Sequence, residues 1–277
     1  MRRRVEAGRE RAAAAREAMG DRIDAAKEAT SERVEAAREA TVQRIEATKE
    51  ATGERVEAAM QAATELQEKV KPKLRGWIHE GAFPVSILAG AVLVALASGG
   101  RERIALIIYA ISLSALLGTS ALYHRVNWQR PSTRRWMRRL DHSMIFLLIA
   151  GTLTPFAVLV LNGSLATTVL VAVWVGAAAG ILVELLWTDS PKWVSVGVYL
   201  AVGWIGAIAF PAIVAEAGIG AGALIAAGAV MYTVVAVIYA LQRPDPKPAV
   251  FGYHEVFHVL VVAAATAHFT AIAIYAS

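Results

Sequence analysis

The stretch SMIFLLIAGTLTPFAVLVLNGSLATTVLVAVWVGAAAGILV, residues 143 to 183, contains no charged side chain. A membrane-spanning helix needs about 20 apolar residues, so this stretch is long enough for two of them. Asn162-Gly163-Ser164 interrupts it near the middle with residues that favour a turn. The stretch therefore predicts two consecutive transmembrane helices joined by a short loop, which is typical of a polytopic membrane protein.

The rest of the sequence supports this class. Of the 277 residues, 56% are apolar, and the mean hydropathy of +0.48 lies well above that of a soluble domain. Further uncharged runs that are long enough to cross a bilayer are Gly81 to Gly100, Ile104 to Tyr123, Trp193 to Ala215, Ala217 to Gln242 and Val256 to Ser277. The sequence thus predicts an all-α protein with seven transmembrane helices. Because the first apolar run begins only near Gly81, no cleaved signal sequence is expected.

Arginines indicate the orientation of the spans. The loop between the second and third spans carries Arg125, Arg130, Arg134, Arg135, Arg138 and Arg139. The positive-inside rule places this loop in the cytoplasm, and alternation of sides then puts the N-terminus inside and the C-terminus outside. We expect an integral protein of the plasma (inner) membrane.

Residues 1 to 72 are a separate, charged segment before the seven-helix domain of residues 73 to 277. Residues 11 to 65 repeat every eleven positions, with clear copies that begin at Arg22, Arg33, Arg44 and Arg55. Eleven residues make three helical turns, so Ile23, Val34, Ile45 and Val56 form one thin apolar stripe. Three interpretations stay open: a solvated helix without a partner, a right-handed coil that self-associates through residues 11 to 65, and a helix on the inner leaflet. Gly53 and Lys71-Pro72-Lys73 are expected to weaken or end this helix.

Few ionisable groups interrupt the predicted spans. Each costs at least about 2.5 kcal/mol on insertion scales, so each is expected to have a partner or a task. Together with one serine they are Ser120, His124, Asp141, His142, Glu184, His254, Glu255, His258 and His268. The end of the second span and the starts of the third and seventh lie on the cytoplasmic side, so the groups found there are expected to meet at one depth.

This convergence predicts a metal site. His254 and His258 are four residues apart on one helix face, as are Ser120 and His124, and Asp141 comes from a third helix. Three imidazoles with a water held by a carboxylate form a catalytic zinc shell that leaves one position for substrate. Since the sequence has no cysteine, thiolate ligands and disulfides are excluded.

Each group also has a simpler interpretation. A lone histidine near a helix end is often interfacial, and Asp141 is well placed to cap the third helix. Glu184 is expected to meet the membrane interface beside Trp187. His268 lies about 15 Å deeper than His258, too far to bind the same ion, but it is well placed to line the same cavity.

Three segments carry a resemblance to a known family. SALYHR, LDHSMIFLLIAGTLTPF and FGYHEVFHVLVVAAATAHF begin at Ser120, Leu140 and Phe251. They resemble the hemolysin III family, the bacterial branch of the progestin and adipoQ receptor superfamily, over roughly residues 80 to 277. The resemblance implies zinc-binding histidines at His124, His254 and His258, a water-holding aspartate at Asp141 and a nearby serine at Ser120. Eukaryotic relatives carry glutamine at the position of Glu255.

Three functions are compatible with these features. The first is a zinc-dependent membrane hydrolase of lipid amide or ester bonds, with ceramidase-like chemistry implied by the resemblance. In it, Asp141 positions a water whose pKa zinc lowers toward 7, and Ser120 helps zinc to stabilise the oxyanion. The second is a non-enzymatic lipid sensor or cytolytic factor with a structural zinc. The third is an intramembrane metalloprotease, because residues 254 to 258 read H-E-x-x-H, although Ala264 stands where a metzincin has its third histidine. Membrane lipids and a lipid substrate or effector are the expected partners, and no nucleic acid is expected.

Overall fold

A computed structural model of the chain describes residues 2–69, 72–187 and 191–276. Over these residues the regular elements are helices, and the only β pairing is an isolated bridge between Lys247 and Phe251. The helices are α1 (Arg2–Lys69), α2 (Trp77–Leu96), α3 (Gly100–Arg125), α4 (Pro131–Pro155), α5 (Gly163–Leu186), α6 (Lys192–Gly203), α7 (Gly206–Leu241) and α8 (Tyr253–Ala276). A short π-helical segment, Phe156–Val160, extends α4. The all-helical prediction is confirmed.

The chain divides into two compact units, Met1–Val70 and Lys71–Ser277. The first unit consists of α1, which continues through Gly53 and ends at Lys69. The helix therefore does not end at Gly53. Val34, Ile45 and Val56 of the apolar stripe are 64%, 51% and 53% exposed, and the side chain of Ile23 lies outside the described part of the structure.

The second unit is a closed bundle of helices. Consecutive helices from α2 to α8 pack against one another, and α2 also packs against α8, so the bundle closes on itself. Large apolar side chains such as Val85, Leu88 and Ile208 are more than 60% exposed on its outside. An apolar exterior around a packed helical core is the arrangement that a lipid solvent requires.

Within the described residues, six helical segments are long and apolar enough to cross a membrane. The difference from the seven predicted spans lies in one segment, Trp193–Leu241, whose 49 residues count as a single span. At about 1.5 Å per residue, this segment is far longer than the roughly 30 Å hydrocarbon layer. It is also interrupted, because Gly218 has a non-helical backbone with φ 84° and ψ 167°. The break predicted at Asn162 is confirmed, since α4 and its π-helical extension end at Val160 and α5 begins at Gly163.

Candidate metal centre

Two helix ends bring the predicted metal ligands together, and a third helix places Asp141 beside them. Ser120 and His124 occupy the last turns of α3, Asp141 lies in α4, and His254 and His258 occupy the first turns of α8. One possible ligand atom from each of the three histidines lies within 4.8 Å of the other two. The Nε2 atoms of His124 and His254 are 3.0 Å apart. The grouping expected from the sequence is therefore present.

The chemistry and spacing of these donors fit a zinc ion. Two imidazole nitrogens at about 2.0–2.1 Å from one tetrahedral zinc lie roughly 3.3 Å apart, close to the observed separation of His124 and His254. His124 and His258 are buried, and Nδ1 of His258 has no hydrogen-bond partner among the described residues. A buried histidine cluster without thiolates is a typical zinc ligand set, and three protein ligands leave one coordination position vacant.

Asp141 stands beside the cluster without belonging to it. Its Oδ2 atom is 3.6 Å from Nε2 of His124, and its side chain is 12% exposed. The hydroxyl of Ser120 lies within hydrogen-bonding reach of this carboxylate. Asp141 is thus placed to orient a small molecule next to the ligand set. The interpretation that it caps the helix was wrong, because α4 begins at Pro131 with Arg130 as its N-cap and Asp141 lies well inside it.

Glu255 does not point into the cluster. Its fully buried carboxylate receives the Nε–H of Arg75 on Oε1 at 2.5 Å and the N–H of Gly252 on Oε2 at 2.8 Å. Both carboxylate oxygens therefore accept hydrogen bonds, one from the segment before α2 and one from the residue before α8. A zincin glutamate must instead reach the water at the metal, so this geometry argues against the metalloprotease interpretation.

His79 was not among the predicted site residues, although it lies against the cluster. It belongs to the first turn of α2 and is 2% exposed. Its ring stacks on that of His258, with centroids 3.9 Å apart and planes inclined by 16°. Its position just before the first predicted span, on the side where the predicted topology gathers the other site residues, is the signal that would have found it.

A second polar cluster lies on the other side of α4. Nδ1 of His142 is 3.3 Å from Oε2 of Glu184, and the hydroxyl of Tyr199 donates to Oε1 of Glu184 at 3.0 Å. Glu184 is only 7% exposed. Side chains from two neighbouring helices therefore hold its carboxylate inside the bundle, while its expected place at the membrane interface beside Trp187 stays a prediction.

A cavity of about 370 Å³ is lined by side chains from both polar clusters. Its walls are mostly apolar, and its polar side chains include His79, Ser120, Asp141, His142, Tyr199, Tyr239, His254, His258 and His268. His268 lies deeper in the cavity and contacts the carbonyl oxygen of Ile225 through Nε2 at 3.1 Å. As expected, it lines the same cavity without joining the ligand set. An apolar cavity with a few polar groups at one end suits an amphiphilic ligand.

The fold and the site together define an integral membrane protein with a buried histidine cluster. The family model for Haemolysin-III related proteins matches residues 67–269, so the chain belongs to this family. The family is part of the progestin and adipoQ receptor superfamily, as the resemblance implied.

Individual relatives agree with this assignment. Hemolysin-3 of Bacillus cereus is 27% identical over 216 residues, which cover 76% of this chain and 95% of that protein. The Hemolysin-3 homolog of Bacillus subtilis is 29% identical over 168 residues, 61% of this chain and 75% of the relative. The human Monocyte to macrophage differentiation factor is 26% identical over 199 residues, 71% of this chain and 80% of the relative.

Proposed function

We propose that this protein is a zinc-dependent membrane hydrolase that cleaves amide or ester bonds of lipids. The observation that carries the proposal is the position of Asp141, 3.6 Å from a member of the three-histidine cluster at the wall of an apolar cavity. A purely structural zinc is usually closed by four protein ligands, whereas three leave room for a substrate.

Each residue of the proposed site has its own role in the reaction. His124, His254 and His258 hold the zinc, which when bound supplies Lewis acidity and makes a water acidic near neutral pH. Asp141 orients the attacking water and accepts its proton. Ser120 lies within reach of Asp141 and donates a hydrogen bond to the oxygen on which negative charge develops. The apolar walls take up the acyl chain and exclude bulk water.

The proposed topology brings the substrate from the inner leaflet. Dividing Trp193–Leu241 near Gly218 gives seven spans, with the N-terminus in the cytoplasm and the C-terminus outside the plasma membrane. The arginines at the end of α3 and in the first turns of α4, from Arg125 to Arg139, then lie on the cytoplasmic side, close in sequence to His124 and Asp141. A lipid in the inner leaflet would therefore meet the polar end of the cavity.

The test is hydrolysis of a panel of lipid amides and esters by the full-length protein in proteoliposomes, with zinc measured in the same samples. We expect Asp141→Asn to lower turnover by about 10²–10⁴-fold while zinc is retained, because the histidines are unchanged. Glu216→Gln is the control, since Glu216 does not line the cavity. Full activity of Asp141→Asn would contradict the assignment.

The alternative is a non-enzymatic protein, and the observation in its favour is the name Hemolysin-3 of two relatives. In it, the zinc is structural and the protein senses lipids or lyses cells. Stoichiometric zinc without turnover on any lipid of the panel would favour this alternative. Leakage of dye from vesicles that contain the protein would then separate lysis from sensing.

A further inference from the structure

We propose that His142, oriented by Glu184, is a further catalytic residue that protonates the leaving group during hydrolysis. This inference rests on the proposed function, because it adds an acid to a reaction for which Asp141 serves as the base. Amide cleavage needs such an acid, since an amine anion is a very poor leaving group. Nothing in the three-histidine cluster itself supplies this proton.

The first argument is the arrangement of the His142 ring. Nδ1 faces Oε2 of Glu184 at 3.3 Å, and a carboxylate at this position keeps the Nδ1 proton in place and fixes the ring. The hydroxyl of Tyr199 holds the other carboxylate oxygen at 3.0 Å. Three helices, α4, α5 and α6, therefore determine where Nε2 points.

The second argument is the accessibility of Nε2. The His142 side chain is 22% exposed and lines the cavity. Since its other nitrogen faces Glu184, Nε2 is the atom that a molecule in the cavity can reach.

The third argument is the placement of the two proton-transfer groups relative to each other. Asp141 and His142 are adjacent in α4, and adjacent residues of a helix point about 100° apart. Asp141 faces His124 on α3, whereas His142 faces Glu184 on α5 and the ring of Tyr239 on α7. A scissile bond held between them has a base on the side of the water and an acid on the side of the leaving group.

A structural ion pair is the simpler interpretation of His142 and Glu184. A charged side chain within a membrane span is costly unless it is paired, and a pair that only tied helices together would need no side chain in the cavity. Here His142 and Tyr199 both line the cavity, so the pair borders the space that the substrate occupies.

The proton balance of the step is complete. Water adds to the carbonyl carbon and gives a proton to Asp141, and the bond between that carbon and the leaving nitrogen or oxygen then breaks. The leaving atom keeps the bonding electron pair and takes the proton from Nε2 of His142, which has been taken up from solvent. Asp141 returns its proton to solvent, so one water is consumed and the protein is restored.

The experiment compares two substrates with the same acyl chain, an alkyl amide and a p-nitrophenyl ester, using full-length protein in proteoliposomes. The p-nitrophenolate departs without a proton, whereas the amine does not. His142→Asn retains an amide NH2 near the position of Nδ1 but has no group at Nε2. We expect it to lower kcat/KM for the amide by about 10²–10⁴-fold and for the ester by less than about tenfold.

Glu184→Gln and Tyr199→Phe are the matched positioning variants, and we expect the same selective loss on the amide with a smaller magnitude. Zinc content and melting temperature are measured for every variant. If His142→Asn lowers kcat/KM equally for both substrates, or for neither, the role of His142 is overturned while the hydrolase proposal stays intact. Absence of wild-type turnover on both substrates and on the wider lipid panel would instead overturn the hydrolase proposal, and this inference with it.

Discussion

The imidazole ring of His79 stacks on that of His258, with ring centroids 3.9 Å apart and planes inclined by 16°. The two residues are 179 positions apart in the sequence, on α2 and α8, the pair of helices that closes the bundle. His79 is not one of the three clustered histidines, so its contact with the site is through the ring face. The stack therefore couples closure of the bundle to the orientation of one proposed zinc ligand.

We expect loss of this stack to weaken zinc binding. His79→Leu removes the aromatic face and should lower zinc affinity by about 10–100-fold, as is typical when a group that orients a ligand is lost. His79→Phe keeps a flat ring and should retain most of the affinity. Competition with a chelator measures both. Equal affinities for the leucine and wild-type proteins would show that the stack does not orient His258.

The histidine pair of α8 should be essential for zinc. We expect about one zinc per wild-type chain and none in a His254→Ala, His258→Ala double variant, since a single remaining histidine cannot hold the ion. His268→Ala is the matched control, because His268 lines the same cavity outside the ligand cluster. Elemental analysis of detergent-purified protein measures the ratio, and zinc at full stoichiometry in the folded double variant would disprove the assignment.

Hydropathy predicted most of the bundle because lipid imposes a simple rule on length and composition. The turn at Asn162 interrupts a run twice as long as one span, and the helices separate there. The segment Trp193–Leu241 was harder to divide into spans from the sequence, because its breaks at Trp204 and Gly218 do not coincide with a polar loop. Glu216 marked the expected break, two residues from the non-helical Gly218.

The ligand cluster was predictable because the positive-inside rule placed three helix ends at one depth. The partners of Glu184 and Glu255 were not, since they depend on which helices are neighbours: Glu184 meets His142 on α4, and Glu255 meets Arg75 before α2. His79 was missed for a different reason. Glu80 and Arg75 flank it, so the predicted uncharged run begins at Gly81 and leaves His79 outside the span.

Deleting residues 2 to 70 should leave zinc content and membrane insertion unchanged, because the clustered histidines and all the residues that line the cavity lie beyond residue 70. A longer deletion, through residue 76, is the informative comparison. It removes the backbone N–H groups of Lys73 and Leu74, which donate to the carbonyl oxygens of Ala249 and Val250 at 3.1 Å, and it removes Arg75.

We expect only the longer deletion to lower the melting temperature in detergent. The boundary of the membrane domain would then lie between residues 70 and 76, a range that contains the expected boundary at residue 72. Loss of zinc from the shorter deletion would show that the eleven-residue repeats contribute to the site.

The last prediction separates structural from chemical roles for Glu255. Glu255 accepts a charged hydrogen bond from Arg75; the Glu255 side chain is fully buried and the Arg75 side chain is 22% exposed. Glu255→Gln should therefore lower the free energy of unfolding by about 1.5–3 kcal/mol. Glu80→Gln is the control, because Glu80 pairs with Arg125 at the surface, where such pairs contribute about 0–1 kcal/mol. Hydrolysis per folded molecule should be unchanged in both variants, measured well below their melting temperatures. A Glu255→Gln protein with normal stability and zinc but no hydrolysis would make Glu255 the base and restore the metalloprotease interpretation.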